Sequence, residues 1–157
     1  MTLLPTHKLI HMRNSIAAAT VVFVALATQV PAIAASSPSG VAQRGLDAYL
    51  KEDATAAVRG WLQGSALEGN PQAMTQANSM RQIEDFYGKP ESYQMLGEHA
   101  ISERASMVYF TINFAKGPAF GRMQVFRLTS GQWVGTEFKF HTEAAQVLPS
   151  HLSLGTR

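Results

Sequence analysis

The chain has 157 residues and no cysteine, which excludes disulfides, thiolate metal sites and thiol catalysis. Thirteen Lys and Arg face eleven Asp and Glu, but Lys8 and Arg13 lie in the first 34 residues, where there is no acidic residue, so the remainder carries eleven of each sign. With no basic surplus to neutralise phosphates, the composition argues against a nucleic-acid partner.

In chain order, the first element is a leader. Lys8 and Arg13 give it a positive start, an apolar run follows from Ile16 to Ala27, and Ala32-Ile33-Ala34-Ala35 offers small residues for cleavage. Those three parts in that order predict a secretory signal peptide over 1–34, cleaved after Ala34 or Ala35. A membrane-spanning helix needs about 20 apolar residues. Here Thr28, Gln29 and Pro31 interrupt a shorter run, so no membrane anchor is expected after cleavage. A lipoprotein would need a cysteine at the cleavage point, and a twin-arginine signal would need adjacent arginines. The expected location is therefore the periplasm or the medium, by general secretion.

The mature part is long enough for one domain with its own core. Residues 35–40, ending in Ser36-Ser37-Pro38-Ser39-Gly40, read as a flexible leader. Residues 41–149 form the domain, and 150–157, without periodicity, read as a loose tail. Within the domain Leu46, Tyr49 and Leu50 mark a first helix, and Val58, Trp61 and Leu62 a second, with Asp53 as its cap. A third helix is expected to begin near Asn70-Pro71, with a stripe of Met74, Ala77, Met80, Ile83, Phe86 and Tyr87. Gly88 and Pro90 end it.

After Pro90 the period changes to two: Val108, Phe110, Ile112 and Phe114 alternate with Tyr109, Thr111 and Asn113. Turns at Glu103-Arg104, Lys116-Gly117 and Ser130-Gly131 give a four-stranded antiparallel meander. With two-residue loops, Val108 faces Val125, which faces Thr136. Phe110 faces Met123 and Phe138. The inner face then also takes Tyr93, Met95, Gly97, His99 and Ile101. The fold class is α+β, with three helices on one face of the sheet.

This layout resembles small secreted bacterial members of the nuclear transport factor 2-like superfamily. The resemblance rests on a helical half ending in Phe86-Tyr87-Gly88-x-Pro90 and a meander whose last strand runs from Gln132-Trp133-Val134 to Phe140. It implies a curved sheet wrapped around helices as a cone, with an apolar pocket inside. Members include isomerases, dehydratases, binding proteins and subunits without chemistry, so fold alone does not select the function.

No nucleophile elbow, phosphate-binding glycine loop or zinc motif occurs, and His99, His141 and His151 are too far apart for a local ligand pattern. Neither cofactor nor metal is expected. On the face to be buried, His99 and Arg127 are the charged or titratable exceptions, with Thr136 and Tyr93 in register and Tyr87 closing the third helix. They suggest a small, partly apolar anionic ligand held by His99 and Arg127 over Phe110, Met123 and Phe138. A single internal hydrogen bond at His99 and a snorkelling Arg127 would explain the same residues without a ligand.

The sequence thus points to an exported binding or accessory protein. The alternatives are an isomerase- or dehydratase-type pocket enzyme using His99 as acid and base, and a structural subunit that pairs through its sheet. For a homodimer the outer face offers Met107, Phe126, Leu128 and Trp133 near the last turn. Elsewhere on that face Glu98 is expected in a row with Tyr109, and Arg122 stands opposite Lys139.

Overall fold

The computed structural model describes residues 35–153, so the leader over 1–34 and the last four residues of the expected tail lie outside it. Helices α1 (Pro38–Lys51), α2 (Ala54–Leu62), α3 (Pro71–Met74) and α4 (Gln76–Tyr87) precede strands β1 (Pro90–Ser102), β2 (Ala105–Phe114), β3 (Gly117–Arg127) and β4 (Trp133–His141). A 3-10 turn (Ala144–Gln146) and a single helical turn, α5 (Ser150–Ser153), follow. The strands form one antiparallel sheet in the order β1-β2-β3-β4, so the α+β class and the meander are as expected. Among the described residues no helix is long and apolar enough to cross a membrane.

Half of the expected flexible leader is helix, Pro38 to Gly40 forming the first turn of α1. Ser37 accepts a hydrogen bond from the Gly40 N–H, Pro38 takes the first helical position where its missing N–H costs nothing, and α1 starts there. Ala35 is buried and its carbonyl accepts from the Trp133 N–H at 3.1 Å, tying the chain to β4 before the helix begins. Asp53 caps α2 by accepting from the Ala56 N–H at 2.8 Å, as its position implied. The third helix is divided. Thr75 donates its hydroxyl to the Gln72 carbonyl at 2.6 Å and separates the short α3 from α4. Gly88, at φ 82°, ends α4 in a conformation that costs glycine little. At the other end, residues 150–153 of the tail expected to be loose form one helical turn, and the adjoining Val147 and Leu148 are buried.

Helices α1 and α2 meet closely because both carry glycine at the crossing. A Cβ on Gly60 would lie 3.1 Å from the Gly45 Cα, and one on Gly45 would overlap the Trp61 indole. Arg44 fastens the pair by donating Nε–H to the Gly60 carbonyl at 2.7 Å. Trp61, wholly buried, donates its indole N–H to the Ala42 carbonyl at 3.0 Å. Against these helices lie Val108, Phe110, Ile112 and Phe114 of β2 and Ala119, Met123 and Val125 of β3. Gly121 on β3 clears space for the Phe110 ring in the same way. Apolar burial of this kind supplies most of a domain's stabilisation, roughly 25 cal/mol per Å².

The expected register needs three corrections. The β2–β3 loop is Ala115-Lys116, one residue earlier than Lys116-Gly117, so Val108 faces Met123 and Phe110 faces Gly121. Moving a two-residue loop by one shifts partners by two, which leaves the faces unchanged. In β1 the turn at Glu103-Arg104 is as expected, but irregularities between Ala100 and Ser102 and between Met95 and Gly97 reverse the alternation between them. Glu98 therefore opposes Val108 on the helix side, where it accepts from the Ser39 hydroxyl at 2.8 Å, and His99 opposes Met107 on the outer side. Tyr93 and Met95, beyond the second irregularity, return to the inner side. In β4 a bulge at Thr136 changes the pairing from Gln124–Glu137 to Val125–Gly135. It places Trp133 opposite Arg127 on the inner face and Val134 opposite Phe126 on the outer. Arg122 does stand opposite Lys139, whose ammonium pairs with Glu137 at 3.0 Å.

Candidate functional site

The inner-face residues expected to contact a ligand belong mainly to the core. Phe110 and Met123 are wholly buried. The Trp61 indole stands between Phe110, at 6.0 Å between ring centroids, and Phe138, at 5.0 Å. The space assigned to a ligand is thus filled by α2, whose contribution strand alternation alone does not reveal. Tyr93 is half-buried and donates its hydroxyl to Asp47 of α1 at 2.8 Å. Burial, with the Asp47 hydrogen bond and charge adding to it, pushes the Tyr93 phenol up to about 12.

His99, Arg127 and Thr136 do not converge. His99 is exposed on the outer face, because of the irregularities in β1. Thr136 is exposed at its bulge, with its hydroxyl 3.2 Å from the Gln124 carbonyl. Arg127 is exposed at the end of β3 with its guanidinium over the Trp133 ring, 5.8 Å from the centroid. Its neighbour is Arg104, which donates Nε–H to the Arg127 carbonyl at 2.9 Å. The pairing of His99 with Arg127 therefore fails. Among the described residues no three His, Cys, Asp or Glu side chains are grouped to hold a metal ion.

Tyr87 leads to a different place. The end of α4 is pinned to the β2–β3 turn by the Lys116 N–H, which donates to the Tyr87 carbonyl at 2.9 Å. The Tyr87 ring covers Gly117, where a Cβ would approach to 2.8 Å. Fixed in this way, the last turns of α4 stand beside the end of β4 and leave a groove of about 500 Å³. Ile83, Phe86 and Tyr87 form one wall, and Phe140, His141 and Thr142 the other, with Ser79 and Gln82 completing the lining. The volume suits a small organic molecule. Phe140 is held by stacking on Phe138, with ring planes 16° apart. Phe86 is 79% exposed, far more than its chemistry favours.

The groove has one oriented polar group. His141 Nδ1 accepts from the Glu143 N–H at 2.9 Å, which places the proton of the neutral ring on Nε2. The ring thus offers a hydrogen-bond donor beside aromatic walls. Sequence reasoning found Tyr87 but assigned Ile83 and Phe86 to the core and passed over Phe140 and His141. The available signal was the length of the apolar stripe on α4, which continues past the buried Ala77 and Met80. Comparison with family models, with characterised proteins and with solved structures finds no match for this chain.

Proposed function

We propose that this chain is an exported, non-catalytic binding protein of the nuclear transport factor 2-like kind, holding a small, partly apolar molecule in the groove between α4 and β4. The observation that carries the reading is the exposed Phe86 ring, facing Phe140 and His141 across a groove of ligand size. Ile83, Phe86, Tyr87 and Phe140 take the apolar body, and His141 Nε2–H donates to an acceptor on the ligand. The order of helices followed by an antiparallel meander supports the superfamily assignment, and the leader supports export. Processing falls after Ala34 in this reading, because Ala35 is needed by the fold: its methyl is buried and its carbonyl binds the Trp133 N–H.

Native mass spectrometry of protein recovered from its own export compartment tests the proposal. The expected spectrum shows a chain starting at Ala35 with a retained small molecule, and Phe86→Ala reduces its occupancy several-fold. A Phe86→Ala chain that retains the ligand equally would place binding elsewhere, and an intact chain starting at Met1 in the membrane fraction would overturn export. Pairing of two copies through the outer face is a second reading, favoured by half-exposed Met107, Tyr109, Phe120 and Phe126 there. Sedimentation tests it: Met107→Glu should yield monomer where the parent chain is dimeric, and a monomeric parent at high micromolar concentration removes it.

A further inference from the structure

We propose that the groove between α4 and β4 takes an uncharged sugar, a mono- or disaccharide in pyranose form. This rests on the reading of the groove as the binding site and names its ligand class. Ser79, Gln82, Ile83 and Phe86 follow one another at helical spacing, so they form one stripe of α4 along the groove. The stripe is polar where it begins and aromatic where it ends. At the rise of an α-helix it extends for about 10 Å, the length of a disaccharide.

The lining decides the class of ligand. Among the described residues that line the groove there is no Asp, Glu, Lys or Arg. Charged neighbours on the same elements are engaged elsewhere: Arg81 donates to Asn78 and Thr55, and Lys139 pairs with Glu137. An ionic ligand would therefore lose water without meeting a counter-charge. A purely apolar ligand would cover Ser79, Gln82 and His141 without returning their hydrogen bonds. A pyranose ring satisfies both conditions. Its C–H face packs on the electron-rich face of an aromatic ring, and its edge carries hydroxyls that donate and accept. Phe86, open to solvent, and Phe140, stacked on Phe138, supply the aromatic faces. Gln82 and Ser79 both donate and accept. His141 Nε2–H donates, since its Nδ1 is occupied by the Glu143 N–H at 2.9 Å.

The exported chain is titrated with cellobiose, maltose and N,N′-diacetylchitobiose, with binding read by ligand-observed NMR. In parallel it is titrated with N-phenyl-1-naphthylamine, an uncharged apolar dye without hydroxyls, read by fluorescence. The expected result is saturable binding of at least one sugar below about 10 mM, changed less than about twofold by added salt. Phe86→Ala should weaken it about tenfold, and Gln82→Ala about three- to tenfold. Both positions are exposed, so these variants keep the fold. Phe86→Trp keeps a stacking face, so it should retain binding, and its indole emission should move to the blue as sugar covers it. Absence of saturable binding for all three sugars, or binding kept within about twofold in both Ala variants, overturns the proposal. Dye binding that Phe86→Ala abolishes, without sugar binding, rejects the sugar and leaves the groove reading intact. If neither the dye nor any sugar responds to Phe86→Ala, the groove reading falls with it.

Discussion

Strands β2 and β3 pair residue for residue from Ala105–Phe126 to Phe114–Gly117, whereas β1 is irregular at three points and β4 at one. The difference follows from position in the sheet. A central strand is bonded on both sides, so an extra residue would disrupt two ladders, while an edge strand loses bonds on one side only. Each irregularity moves one stretch of side chains to the opposite face. His99, Glu98, Thr136, Trp133 and Val134 all lie on edge strands, and those are the residues whose expected faces were reversed or lost. Phe110, Met123 and Val125 lie on central strands and keep theirs.

The largest test of this contrast is in the centre. Phe110→Ala should cost about 3–5 kcal/mol, since the ring packs against Trp61 in space that Gly121 keeps clear. Chemical denaturation measures it. A loss below about 1 kcal/mol would show that β2 is not the centre of the core.

A second test joins edge to helix and uses pH. The folded Tyr93 phenol, pushed up to about 12 by burial and by Asp47, holds its proton more tightly than the unfolded phenol at about 10. Stability from this group is therefore full below pH 10 and is lost as the pH rises from 10 to about 12. Burial raises the Tyr49 phenol as well, with the Glu84 carboxylate adding to it and Arg81 opposing, so both groups drive the same decline. Tyr93→Phe should cost about 1 kcal/mol at neutral pH and make the alkaline decline shallower without abolishing it. An unchanged alkaline slope would mean that the Tyr93–Asp47 hydrogen bond does not persist in solution.

Tyr49 itself gives a smaller effect of opposite sign. Its hydroxyl is buried near the Glu84 carboxylate but makes no well-formed hydrogen bond, and its ring meets Phe114 edge-on at 6.2 Å. Tyr49→Phe removes an unsatisfied polar atom and keeps the ring, so stability should stay level or rise by up to about 1 kcal/mol. A loss of that size would reveal a partner for the hydroxyl. The smallest effect belongs to the edge: His99→Ala, on the exposed outer side of β1, should change stability by less than about 0.5 kcal/mol. A larger loss would put His99 back among buried groups.

The sequence by itself determined the α+β class, the helix start after Asp53, the stop at Gly88, and the meander with its inner face on β2 and β3. These depend on interactions within a few residues: a capping side chain, a glycine conformation, an alternation of period two. Tertiary structure decided what fills the inner face. Trp61 belongs to a helical stripe that reads only as apolar, and its place between Phe110 and Phe138 requires glycines at 45 and 121, far away in the chain. Tertiary structure also decided the candidate site and the faces of the edge strands. The α4–β4 groove joins segments distant in sequence, Ile83 to Tyr87 on one wall and Phe140 to Thr142 on the other. A bulge is a local response to packing on one side of a strand, and residue types along that strand do not encode where it falls.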